Sequence, residues 1–405
     1  MHDNRRAGDW PRGHTPGLGP LEHALDRSQH SRRDFIRYGT ALGLSGAALS
    51  TFLAACGDDD SASTGGAAQD GQGSLTDAAP DGADLAKPEP FQYASMEMTI
   101  DDALAFEIPK AKEKYKIAYM LISLQGYYFV AAAYGADQAG KAAGVDIQLI
   151  AAEGYASPDV QQQQLGDLLQ KDIDAVVVLP ADVNGSVALV DQAQSAGVVM
   201  TVAGSLLNSN KVAQAVQSDY ALGQQSADLV AERLDGGGGS GLIMGGPKQA
   251  TWAAHRVAGF NAQIEEKYPD MAVAVTTHQN FVDPTEGLNT FQDAIQRNPD
   301  LDWIYAVDYN LLEAPSLPSK YKGKVPYVAM GLYGSSQAAL QDGSLDAVLG
   351  IMPVLGAQLG VSRAVQLLNG EDVPAITVYP APVYTKDNLD APEAKFETYP
   401  EGFKP

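Results

Sequence analysis

A single cysteine, Cys56, stands in 405 residues. That excludes an intramolecular disulfide and any thiolate cluster around a metal. Histidine is nearly as scarce: of six, His2, His14, His23 and His30 fall within the first 30 residues, leaving His255 and His278 for the rest. A multi-histidine metal centre is excluded too, so neither metal nor cofactor is expected. Lys and Arg number 27 against 50 Asp and Glu, and no basic run occurs beyond the first 40 residues. Nucleic acid, whose phosphates require a basic surface, is therefore excluded as a partner. No Gly-x-Ser-x-Gly elbow occurs, so nucleophilic chemistry lacks its parts and the chain reads as a non-enzyme. What is present is ordinary globular material, 45% hydrophobic and 19% charged, enough for two or three domains of roughly 100–200 residues each.

The first 55 residues read as an export address. Residues 31–37 are Ser-Arg-Arg-Asp-Phe-Ile-Arg, and residues 38–55 carry no charge; a basic stretch, an apolar stretch and then small residues make a secretion signal. The apolar run is diluted by Gly, Ser and Thr and falls short of the roughly 20 apolar residues of a spanning helix. Arg32 and Arg33 resemble the pair of a twin-arginine signal, whose substrates cross the membrane folded. Leu53-Ala-Ala-Cys56-Gly57 resembles a lipobox, which implies cleavage before Cys56 and acylation of its thiol. Acyl chains contribute about 0.8 kcal/mol per buried CH2, so two or three hold a soluble domain at a bilayer. Residues 1–55 hold seven Arg and five acids, so the mature chain carries 20 basic and 45 acidic residues. Residues 56–90, with Leu75 and Leu85 as the only large apolar side chains, read as a disordered acidic leash. Residues 91–115 form an arm that packs on the first lobe of the body.

From Lys116 short β-branched runs alternate with amphipathic stretches. Ile117–Leu121, Val145–Ala151, Ala175–Leu179 and Val198–Val202 read as buried parallel strands. Val130–Ala143, Asp159–Lys171 and Val183–Ala196 read as helices, two of them stopped by Gly144 and Gly197. A second series has strands at Gly241–Met244, Ala272–Thr277, Trp303–Val307, Val325–Met330 and Leu345–Ile351. Its helices lie near Ala221–Leu234, Trp252–Lys267, Pro284–Gln296 and Ser335–Asp342. Pro353–Asn369 is a further helix and Ile376–Tyr384 hold the final strands. The predicted fold class is α/β, with two doubly wound Rossmann-like lobes.

At this level of detail the chain resembles the ribose- and galactose-binding branch of the type I periplasmic binding proteins. Carrying the resemblance are Lys116-Ile-Ala-Tyr-Met-Leu-Ile with Tyr128-Phe129; Asp172-Ile-Asp-Ala-Val-Val-Val-Leu-Pro180; Ala193-Gln-Ser-Ala-Gly-Val-Val-Met200; Ser218-Asp219-Tyr-Ala-Leu-Gly223; and His255-Arg256-Val-Ala-Gly-Phe260. The resemblance implies a three-stranded hinge at Ser218, Asp219, Ile351, Pro353 and Thr377. It sets an N-terminal lobe at 116–218 plus 352–376, a C-terminal lobe at 219–351 plus 377–389, and a tail at 390–405. It also implies a monomeric receptor that hands a small-molecule ligand to an ABC permease driven by a cytoplasmic ATPase. The same fold serves chemoreceptor or kinase sensing, which the residues do not separate from transport; a repressor is disfavoured because a signal and leash stand where DNA-reading helices belong.

Ligands of open α/β sheets sit beyond the carboxyl ends of the strands. Gln125, Tyr127, Tyr128 and Phe129 follow the first strand, and aromatic faces pack on the C–H face of a sugar or on a flat ring. Arg256 matches an arginine of the family that reaches ligand oxygens, and Asp308 matches a polar ligand contact. Ala203-Gly204, Gly126, Tyr333 and Ile351 stand where the sugar binders have an Asp-Arg pair, an Asn, an Asp and a Gln. Losing those hydroxyl readers while gaining Tyr127, Tyr333 and Trp252 points to a flatter, less hydroxylated ligand than a pentose or hexose.

Overall fold

The computed structural model describes residues 72–87, 92–152, 158–235, 238–278, 284–309 and 317–405. Arg32, Arg33 and Cys56 lie outside them. Strands β1 (Leu75–Thr76) and β2 (Met96–Glu97) and helix α1 (Ile100–Ala105) lead in. The alternation then runs β3 (Lys116–Leu121), α2 (Tyr127–Ala143), β4 (Asp146–Ala151), α3 (Pro158–Leu168), β5 (Ala175–Val178), α4 (Ala188–Ser195), β6 (Val199–Gly204) and β7 (Ala213–Val216). The second series is α5 (Asp219–Arg233), β8 (Gly239–Met244), α6 (Thr251–Lys267), β9 (Met271–Thr277), α7 (Pro284–Arg297), β10 (Trp303–Ala306), β11 (Tyr327–Met330), α8 (Gly334–Gln341) and β12 (Ala347–Leu349). Helix α9 (Pro353–Leu368) and strands β13 (Val373–Pro374), β14 (Ile376–Val378) and β15 (Val383–Tyr384) complete the order. None of the helices among the described residues is long and apolar enough to cross a membrane.

Two sheets result. The first, in the order β2-β14-β7-β6-β5-β3-β4, is parallel throughout. The second, β15-β12-β11-β10-β8-β9, is parallel except where β15 runs against β12. Strands β5, β10 and β11 are buried over their whole length, as parallel strands covered on both faces by helices must be. This is the expected α/β architecture of two doubly wound lobes.

The chain passes between the sheets three times, at 217–218, 350–352 and 379–382. Buried Gln217 ties the three passages together: its amide nitrogen donates to Gly350 O at 3.3 Å and to Pro380 O at 2.7 Å. Ser218 and Asp219 open helix α5, with Ser218 Oγ accepting from Ala221 N as its N-cap. Ile351 lies in the second passage, and Pro353 is the first residue of α9. Thr377 departs from its expected place at a crossing. It sits inside β14, flanked by Ala215 of β7 and Met96 of β2, because hydrogen bonding on both sides carries that strand through Val378. The third passage therefore begins at Tyr379.

Three further differences have physical causes. Residues 72–87 of the expected leash are docked: β1 pairs with β13, and Ala79 and Leu85 are buried against Val216, Ala375 and Ile376. Leu75 and Leu85, the segment's only large apolar groups, supply that anchorage. Strand β7 is absent from the sequence pattern because it has no β-branched run. Its central Gln214 is buried, with the side chain donating to Leu207 O and Ser209 O and accepting from Leu207 N. Helix α2 begins at Tyr127, three residues ahead of the expected Val130, so Tyr127, Tyr128 and Phe129 form its first turn.

Candidate functional site

Helices α5 and α6 lie side by side because two glycines let their backbones meet. A Cβ on Gly223 would strike the carbonyl of Arg256, and one on Gly259 would strike the carbonyl of Tyr220. That nesting brings Arg256 beside Asp219. Its Nε donates to Asp219 Oδ1 at 2.8 Å and its Nη1 to Val307 O at 2.8 Å, while the guanidinium lies 4.7 Å from the centroid of Trp252, one turn earlier. The residue is 7% exposed. Below it, Phe260 stacks on Tyr305 with centroids 4.5 Å apart and planes 9° from parallel. Burial works against the charge of Arg256, but the Asp219 and Asp308 carboxylates outweigh it and hold the guanidinium above its ordinary pKa. Burial raises Asp219 in spite of its partner. Two of five N–H donors are committed to acceptors within the protein, and the remainder suit ligand oxygens.

Asp308 follows β10. Its Oδ1 accepts from Tyr333 Oη at 2.7 Å and from Tyr309 N at 2.8 Å. Burial pushes this carboxyl up to about 6, against the pull of the Tyr333 hydrogen bond and of Arg256. Burial followed by the Asp308 charge lifts Tyr333 well above the usual phenol range. From the first lobe Tyr128 meets this group. Its hydroxyl interacts electrostatically with Arg256, Asp219 and Asp308 and neighbours that of Tyr379. The hydroxyl occupies the space over Gly204, where a Cβ would collide with it. Gly204 thus makes room for the Tyr128 hydroxyl.

Tyr127 crosses to the second lobe: its ring lies 4.9 Å from that of Tyr333 and 4.7 Å from that of Tyr399. Burial and then Tyr399 push its hydroxyl up to about 12. Tyr127, Tyr128, Trp252, Arg256, Asp308 and Tyr333 therefore converge. Gln125 does not join them; it is exposed in the loop before α2. Phe129 turns into the core of the first lobe and meets Tyr128 edge-on at 5.6 Å. A cleft open to solvent adjoins the group, with Asp182 and Ser205 from the first lobe facing Asp219, Thr251, Trp252 and His255 from the second. No metal-ligating cluster of three or more groups occurs among the described residues.

Sequence reasoning missed Asp219 as the counter-ion of Arg256, having placed it in the hinge. It also missed Gln217, Tyr379, Glu397 and Tyr399. Phe396, Tyr399 and Phe403 in a nominal tail are the signal that could have found Glu397 and Tyr399, since a solvated end has no use for three aromatic rings.

Comparisons place this geometry in a family. Residues 117–372 match the family described as periplasmic binding protein domain. The xylitol-binding protein of Mycolicibacterium smegmatis is 28% identical over 260 residues, spanning 63% of this chain and 73% of that protein. The ribose import binding protein RbsB of Bacillus subtilis is 24% identical over 265 residues, 65% of this chain and 84% of its own length. The periplasmic protein TorT of Escherichia coli is 25% identical over 303 residues, 73% of this chain and 85% of that one. Among solved structures, a carbohydrate transporter solute-binding protein from Agrobacterium radiobacter in complex with D-arabinose superposes with a TM-score of 0.65 at 21% identity. The match covers 71% of this chain and all of that one, so it speaks for the fold. With matched residues running through both sheets and relatives of the same architecture, the chain belongs to the periplasmic binding protein family, in the type I, ribose-binding branch.

Proposed function

We propose that this protein is the lipid-anchored, extracytoplasmic solute receptor of an ABC importer, taking a small polyhydroxylated or somewhat flatter guest between its lobes. The observation that carries the reading is the convergence of buried Arg256 and Tyr333 with half-buried Asp308 and Tyr128 from two facing lobes. A cation with spare donors, a carboxyl acceptor and aromatic faces are what a ring or chain of hydroxyl-bearing carbons requires. The relatives named for xylitol and ribose support a polyol or sugar-like class, whereas the tyrosines at 127 and 333 favour a guest with less hydroxyl area. Capture breaks no bond. Contacts to both lobes stabilise the closed arrangement over the open one, and the permease reads that difference. Cys56 is the acylated residue, and Arg32 and Arg33 direct twin-arginine export of the folded chain.

A thermal-shift screen of the mature protein against xylitol, D-ribose, D-arabinose, nucleosides and aromatic metabolites tests the reading, followed by calorimetry on any hit. Binding to the native state alone raises the melting temperature. A rise with a polyol or sugar, lost on substitution of Asp308, supports the proposal; no shift across the whole panel defeats it.

A further inference from the structure

The segment after β15 does not end in the lobe it leaves. Residues 392–396 form a short 3-10 turn, after which Tyr399 lies on Tyr127 and Phe403 meets Tyr134 of α2 at 5.1 Å. The strap thus runs from the second lobe to the first beside the three passages. At its centre Glu397, 1% exposed, accepts from Ile351 N at 3.2 Å and Met352 N at 3.1 Å through Oε2. Those two amides belong to the second passage. Met352 has φ +41° and ψ +53°, a left-handed bend that costs a residue with a side chain on the order of 1 kcal/mol. A buried carboxyl on its N–H offsets that cost. Oε1 has no hydrogen-bond partner; it lies against Gly350, with Pro382 and the Tyr384 ring also packed on that glycine. Met98 and Ala103 from the arm join Met352, Tyr379 and Phe396 in one apolar cluster, so both ends of the body meet over the crossing.

We propose that this C-terminal strap is a clasp on the interlobe hinge: Glu397 is a positioning residue that holds the second passage in its bend, and Tyr399 seats Tyr127 against Tyr333. The proposal rests on reading the cleft as the ligand site, but the clasp itself is testable without a ligand. The charged and titratable groups facing Glu397 are Glu393 on its own turn, Tyr384 of β15, Tyr127 of α2, Tyr333 before α8 and Tyr379 in the third passage. None is a cation. Burial pushes the Glu397 carboxyl up to about 8, with Glu393 adding to it and the two backbone hydrogen bonds opposing. The docked clasp is thus fully favoured below the ordinary glutamate value of 4.5 and weakens as pH rises through about 8.

The experiment is amide hydrogen exchange at Ile351 and Met352 in the unliganded full-length protein, corrected for intrinsic rate and followed across pH, with small-angle scattering on the same samples. Glu397→Ala should speed exchange at both amides by roughly tenfold or more, leaving 176–178 in β5 unchanged. Tyr399→Ala should raise the radius of gyration while the fold persists. Glu397→Gln retains an acceptor, so it should exchange more slowly than Glu397→Ala and lose the acceleration that the wild type shows toward pH 8. Wild-type exchange in Glu397→Ala, or a pH profile shared by wild type and Glu397→Gln, overturns the clasp. Because no guest is added, a ligand screen that finds nothing would defeat the receptor reading and leave this result standing.

Discussion

Arg256 reads from the sequence as a ligand-binding cation, yet the structure gives it a second task. Its pairing with Asp219 at 2.8 Å is buried on both sides, so removing the guanidinium strands a carboxylate. Arg256→Ala should cost about 3–5 kcal/mol of stability, the range for breaking a buried pair, as read by urea denaturation. It should also abolish binding; a variant as stable as wild type would contradict the geometry. Asp308 makes a different forecast. Its carboxyl is raised to about 6 from an ordinary 3.8. Its contribution to stability is therefore complete below the ordinary value and is lost as pH climbs through about 6. A guest hydroxyl donates more strongly to the anion, so affinity for the guest identified by the screen should rise from about pH 5 to about pH 7 while stability falls. Calorimetry over that range should show Asp308→Asn flattening the affinity trend; a flat wild-type profile would remove Asp308 from the site. The residue types at 256 and 308 were readable from the chain. Their committed partners were not, because Asp219 is 37 residues away from Arg256 and Tyr333 is 25 away from Asp308.

Among the elements, the helix pair α5 and α6 matters most for the site, and its closeness depends on Gly223 and Gly259. Gly259→Ala would press a methyl into the Tyr220 carbonyl, an overpacking cost of about 1–3 kcal/mol. It should widen the Arg256 to Asp219 distance, so denaturation and ligand titration should both register the loss. Wild-type behaviour in both would show that the helices do not need the contact. Central strands such as β3 and β5 were legible to within a residue or two because a short continuous apolar run marks a parallel strand covered on both faces. β7 was not, since Gln214 is buried by bonds to a loop rather than by hydrophobicity. The start of α2 was not legible either, because three aromatic residues give no helical period, although they supply its first turn.

At the scale of the whole molecule, the lobes share one chain that passes between them three times, and a strap adds a fourth link. The arm before β3 adds β2 to the edge of the first sheet beside β14. Cys56→Ala should move the protein from the membrane fraction to the soluble one, judged by fractionation and immunoblot. Persistence at the membrane would refute lipidation as the anchor.

Composition and pattern were sufficient for the α/β class and for two layered lobes, because these depend on short apolar strand runs alternating with a helical period of 3.6 residues. Which groups would neutralise or strain one another depended on the packed chain. Asp219 beside Arg256 and Glu397 on the Met352 bend arise from surfaces that meet only after both sheets have formed. A sequence records the chemistry of each side chain but not the burial that turns a carboxyl into a neutral acid or a hinge clasp.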